Sequence, residues 1–159
     1  MKKLLFFVFA LLVGYKLFGA YNRTELLTAA QDGNVSLLFD IFGIGNLGTS
    51  VDVNVTENGN TALILASRAG HTLAVQTLLS ERPNLNVVDN DHQTALMNAV
   101  KNGHIGVATL LLKAGADANI PDNFNKTPLY YAMLLYKQSN PALAELLRSY
   151  NARLEPLSQ

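Results

Sequence analysis

The chain contains no cysteine and no tryptophan. Without thiols it has no disulfide scaffold, no cysteine nucleophile, no iron–sulfur cluster and no cysteine-ligated zinc. Neither sign of charge is in excess: 12 Lys and Arg stand against 12 Asp and Glu, and charged residues are only 15% of the 159. That balance argues against a polybasic partner for nucleic acid or membrane surfaces. No G-x-x-x-x-G-K-[ST] loop and no G-x-S-x-G elbow occurs, and the glycines of Gly43 to Gly48 are weak evidence for phosphate binding. The three histidines come without His-x3-His spacing or a carboxylate cluster. No enzyme, cofactor or metal centre is therefore expected. What the chain has in quantity is apolar: 49% hydrophobic residues, which suits one ordered domain.

The opening residues form a separate object. Lys2 and Lys3 precede an apolar run from Leu4 to Tyr15, shorter than the ~20 residues of a spanning helix. This is the layout of a secretory signal. Residues 1–20 are read as a signal peptide or an N-terminal anchor. Cutting after Ala20 leaves bulky Phe18 at the −3 position, so an uncleaved anchor remains the alternative. The expected location is exported, periplasmic or secreted; the alternative is attachment to the inner membrane, facing outward. Without Lys2, Lys3 and Lys16 the remainder carries 9 basic and 12 acidic residues, net −3, which makes a nucleic-acid partner still less fitting.

The rest of the chain repeats itself. Thr61-Ala62-Leu63-Ile64-Leu65-Ala66 returns as Thr94-Ala95-Leu96-Met97-Asn98-Ala99 and as Thr127-Pro128-Leu129-Tyr130-Tyr131-Ala132, in steps of 33 residues. Gly70-His71 returns as Gly103-His104, Leu78-Leu79 as Leu111-Leu112, Asn86 as Asn119 and Asp89 as Asp122. Independent landmarks on one spacing mark a stacked repeat. A degenerate earlier copy runs from Leu26 to Asn34; its Gly33 precedes Gly70 by 37 residues, the excess lying in Gly43 to Ser50.

Each unit reads as two helices. The threonines are predicted N-caps, with Pro128 at a first helical position. Gly70 and Gly103 end the first helices. Val75, Leu78 and Leu79, then Val107, Leu110 and Leu111, are the expected buried face of the second helices. Short extended hairpins over 55–60, 87–93 and 120–126 join the units, with Asn58-Gly59 a strong tight-turn signal. Glu25, Gln31 and Asp32 in front, and Glu145, Arg148, Asn151 and Arg153 behind, are the expected solvated caps.

These residues resemble the ankyrin repeat, whose pattern is T-P-L-H-x-A-A, then G-H, a leucine-rich second helix and G-A-D-x-N. Thr127-Pro128-Leu129 with Ala132, the two Gly-His pairs, and Gly115-Ala116-Asp117-Ala118-Asn119 match it. Ile64, Met97 and Tyr130 replace the motif histidine, Glu81-Arg82-Pro83 stands where glycine is expected, and Tyr136-Lys137 replaces the last Gly-His. The resemblance implies a mostly α solenoid of about four stacked helix-turn-helix units with short β-hairpin loops. The expected division is 1–20 signal or anchor, 21–57 degenerate N-terminal capping repeat with a long loop, 58–90 and 91–123 ankyrin repeats, and 124–159 C-terminal capping repeat. The modest length and the Lys-Lys start favour a bacterial source.

His71 and His104 are then structural, their rings expected to bond loop backbone. The N-x-[ST] matches at Asn22, Asn34, Asn54 and Asn125 are discounted as turn and cap positions in a chain with 16 asparagines. The run Tyr130, Tyr131, Leu134, Leu135, Tyr136 reads as core and end packing, or as a contact patch. The family register implies a concave face of hairpin tips and first helices. It holds Glu57, Asn58, Asn60 and Arg68, then Asn90, Asp91, Gln93, Lys101 and Asn102, then Asn123, Phe124, Lys126 and Leu134. The expected partner is a folded protein, with Phe124 the leading anchor, and the chain itself a monomer; a membrane is a partner only if residues 1–20 are retained.

Overall fold

A computed structural model describes residues 21–42, 51–136 and 141–155. They contain eight helices: α1 Arg23–Asp32, α2 Val35–Phe42, α3 Ala62–Ala69, α4 Thr72–Ser80, α5 Ala95–Lys101, α6 Ile105–Lys113, α7 Pro128–Tyr136 and α8 Pro141–Ser149. Consecutive helices form pairs. First helices pack on first helices in the order α1, α3, α5, α7, and second helices in the order α2, α4, α6, α8. The mostly α repeat solenoid is as expected. The signal or anchor reading of residues 1–20 and the loop at 43–50 lie outside the described residues.

Local chemistry explains the ends. Thr61 and Thr94 hydroxyls accept the N–H of Ile64 and Met97, each at 3.2 Å. Asn22 and Glu25 form a capping box on α1. Thr127 departs from this pattern. Its hydroxyl donates to the carbonyls of Arg153 and Leu154 and so ties the C-terminal residues to the start of α7. Gly33 and Gly70 close α1 and α3 at φ of 67° and 79°.

The core is a row of matching positions. Leu26, Leu63, Leu96 and Leu129 are buried on the first helices, as are Ala29, Ala66, Ala99 and Ala132. Alanine there lets paired helices approach. On the second helices Val75, Leu78, Val107 and Leu111 are buried as expected, but Leu79 and Leu110 are only half-buried, while Ala108 and Leu112 are enclosed.

Two of the three predicted hairpins shrink to single bridges, Glu57 with Asn60 and Val88 with Thr94, and 120–126 is a turn without a bridge. Asn58 and Gly59 both have positive φ (50° and 76°), a type I′ turn closed by two bonds between Glu57 and Asn60. His92 and Asn125 take the left-handed position of Gly59 in the next two units.

Asparagines join the units into one body. Asn54, Asn86 and Asn119 side chains accept the N–H of Asn84, Asp117 and Arg153, each in the following loop, at 2.6, 3.0 and 2.8 Å. Asp52, Asn84 and Asp117 side chains in turn accept the N–H two residues on, fixing the turn that presents each asparagine. In the last unit α8 starts 36 residues after α6, against 33 between α4 and α6. The extra length precedes Pro141, and Arg153 still reaches Asn119.

Candidate protein-binding face

The hairpin tips are locked to one another. Asn90 Nδ2 donates to the Asn58 carbonyl and Asn123 Nδ2 to the Asn90 carbonyl, both at 3.1 Å. The Asn123 N–H donates to the Asp91 carbonyl at 3.2 Å. Four of the expected contact residues, Asn58, Asn90, Asp91 and Asn123, therefore also hold the face in shape.

Below the tips lies Arg68, near the end of α3. Its Nε donates to Asn98 Oδ1 at 2.8 Å, and its Nη2 donates to Asn60 Oδ1 at 3.0 Å and Asp89 Oδ2 at 2.9 Å. Asp89 is buried beneath it. Asp89 Oδ1 accepts the N–H of Asp91 and Gln93, and Oδ2 also accepts Asn98 Nδ2. A buried carboxylate with this many donors is fully compensated.

The next unit repeats the design with other side chains. Lys101, at the position of Arg68, sits with its Nζ 4.8 Å from the centroid of the Tyr131 ring. Tyr131, at the position of Asn98, donates its hydroxyl to Asp122 Oδ2, while Asp122 Oδ1 accepts the N–H of Phe124 and Lys126. Burial pushes the Asp122 carboxyl up, but the bonds from Tyr131, Lys126 and Phe124 and the charge of Lys101 outweigh it, and its pKa falls below the ordinary 3.8. Burial first, then the bond to Asp122, pushes the Tyr131 hydroxyl up to about 12.

These elements surround an open groove of about 300 Å3 lined by Asn58, Asn60, Arg68, Asp89, Asn90, Asp91, Gln93, Asn98 and Lys101. Seven of the expected contact residues meet there. Gln93 differs from a solvated tip residue: it is only 7% exposed, because its backbone folds in over Asp89. Glu57 instead pairs with Arg23 at 3.4 Å, an exposed contact worth little. Asn102 donates to the Asn98 carbonyl beside α5. Lys126 lies over the Tyr130 ring at 4.5 Å. Phe124 is 75% exposed on its tip and Leu134 is 55% exposed. Asp89 and Asn98 were missed as parts of the site, and Tyr131 was read only within the aromatic run of α7, not beside Lys101 and Asp122. The 33-residue step from Asp89 to Asp122 was the available signal, since a buried acid repeated beside a tip must hold something.

The histidines tie unit to unit. His71 Nε2–H donates to the Gln31 carbonyl at 3.0 Å and His104 Nε2–H to the Arg68 carbonyl at 3.2 Å. Both carbonyls belong to the last turn of the preceding first helix, not to a loop as expected. His92 Nδ1–H donates to the Pro121 carbonyl at 2.8 Å. Among the described residues no three His, Asp or Glu converge on a metal position, and no helix is long and apolar enough to cross a membrane. Gly43-Ile44-Gly45-Asn46-Leu47-Gly48 does fit the letters of G-x-G-x-x-G. It follows helix α2, whereas a dinucleotide fingerprint follows a strand.

A family model described as ankyrin repeats (3 copies) matches residues 4–89, 26–122 and 74–156. No individual curated protein matches the sequence. Ankyrin repeats are generally protein–protein interaction modules, and the family is typically non-catalytic. With its paired helices, 33-residue register and matched length, the chain belongs to the ankyrin-repeat family.

Proposed function

We propose that the protein is a non-catalytic binding module that acts outside the cytoplasm and captures a folded protein through its concave face. The observation that carries this reading is Phe124, an aromatic ring 75% exposed on a turn whose backbone is fixed by Asp122 and Asn123. A large ring held in water on a rigid tip is a binding anchor, because it loses little entropy when covered. The groove beside it adds polar specificity.

The compartment rests on Lys2, Lys3 and the apolar run to Tyr15. Mass spectrometry of the purified protein separates two forms. A start near Tyr21 supports the exported free form, and an intact Met1 in a carbonate-resistant membrane fraction supports a tethered scaffold.

The binding test is affinity capture from an envelope fraction with the tagged full chain. A stoichiometric partner is expected, lost with Phe124→Ala and Lys101→Glu and kept with Glu145→Lys on α8. Capture unchanged by both concave-face variants refutes the assignment of the face.

A further inference from the structure

We propose that the groove is a receptor for a carboxylate: the partner lays an aspartate or glutamate side chain against Lys101, Arg68 and the Gln93 amide. This rests on the concave-face reading above and names the chemistry of the contact.

Gln93 is the first observation. It lines the groove and is more than nine-tenths buried. Its backbone is engaged, the N–H with Asp89 Oδ1 and the carbonyl with the Asp89 N–H. Its side-chain amide has no hydrogen bond among the described residues. The amide is not sealed off from water, so it is open at the groove wall to an incoming polar group.

The second observation is the direction of the unmet bonding. Nearby acceptors are already filled. Both oxygens of Asp89 take two donors each. The oxygens of Asp122 are taken by Phe124, Lys126 and Tyr131. Donors are what remain. Arg68 uses Nε and Nη2 and leaves Nη1 without a bond among the described residues, on a guanidinium already locked by three acceptors. Lys101 touches the Tyr131 ring and makes no ion pair among the described residues. Two held cations and a free amide N–H fit one planar anion with two oxygens, and pre-set donors lose little freedom on binding.

The opposing group is Asp91, exposed at the rim, its carboxylate without a hydrogen bond or ion pair among the described residues. It repels an anion at the entrance and so limits affinity, which makes it a test of the sign of the ligand.

The experiment uses the 15N-labelled full chain in a neutral detergent. The probes are a blocked alanine peptide with a central glutamate and the same peptide with a central glutamine. Side-chain amide signals of Gln93 and Asn98 are followed during titration. The glutamate peptide is expected to give saturable shifts and to bind about tenfold tighter than its glutamine twin, as a charge-assisted bond to lysine implies. Lys101→Met should abolish that preference and Lys101→Arg restore it. Asp91→Asn should tighten the glutamate peptide by about threefold, and not the glutamine one. Equal response to both peptides, a preference that survives Lys101→Met, or no shift at all overturns the proposal. If captured partner still depends on Phe124 while the glutamate preference is absent, the carboxylate reading fails and the binding face stands. A glutamate-specific shift with no partner captured upholds the carboxylate site and refutes the capture of a folded protein.

Discussion

The imidazole of His104 lies directly over Gly70 of the preceding unit: a Cβ placed on Gly70 would come within 2.6 Å of the ring. Gly33 has the same relation to His71, at 2.7 Å. Each of these two histidines therefore works across units. The glycine of one leaves room for the histidine of the next, whose ring then bonds that unit's helix end.

Gly70→Ala should be costly twice over, for the left-handed backbone at φ 79° and for the lost space. A loss of about 2–4 kcal/mol is expected. Gly103, at φ 74°, meets nothing within 4 Å. Gly103→Ala should cost only the backbone strain, about 1 kcal/mol. Urea unfolding of both variants, and of Gly70→Ala with His104→Ala, checks this; the double variant should recover part of the loss.

Arg82 occupies, at φ 53°, the left-handed position that Gly115 holds at 96° and Asn151 at 58°. A non-glycine residue is strained there. Arg82→Gly is expected to stabilise the protein by about 1 kcal/mol, read as a raised urea midpoint at unchanged slope.

Asp89→Ala removes the acceptor of four hydrogen bonds and leaves Arg68 without its anion. Arg68 is 42% exposed, so water softens its loss, while the buried N–H groups have no such relief. A destabilisation of about 2–3 kcal/mol is expected, with Arg68→Ala costing less. Thermal unfolding of the two variants orders them.

The Asp122–Tyr131 bond makes stability depend on pH at both ends. The Asp122 pKa is lowered in the fold, so its contribution is present above the unfolded value and is lost as pH falls through the folded one. The Tyr131 pKa is raised to about 12, so its contribution is present below the ordinary 10.0 and is lost as pH climbs from there toward 12. Tyr131→Phe should flatten the alkaline limb of a stability–pH curve, and Asp122→Asn both limbs. Absorbance titration of the tyrosines should show one late component that Tyr131→Phe removes.

Much of the fold was legible because repetition is a one-dimensional signal. Thr61 and Thr94 announce their caps, Gly70 and Gly103 their helix ends, and the 33-residue step the stacking. Thr127 misled, since its hydroxyl answers to Arg153 and Leu154, whose return to α7 no local pattern encodes. The contact face was legible as a set of positions. Which members are free to bind was not: Asn90 and Asn123 are spent on the tip ladder, and Gln93 spends its backbone on Asp89 and keeps only its amide for the groove.

The amino-acid sequence by itself determined the repeating unit, its caps and its apolar faces, because those depend on residues within a few positions of one another. Only the tertiary structure decided the partners between units, such as Arg68 with Asp89 and Asn98, Lys101 with Tyr131, and His104 with Gly70. Such pairs are distant in the chain and are chosen by side-chain reach and burial once the units have stacked. The donors left over from that pairing are what the groove has to offer another molecule.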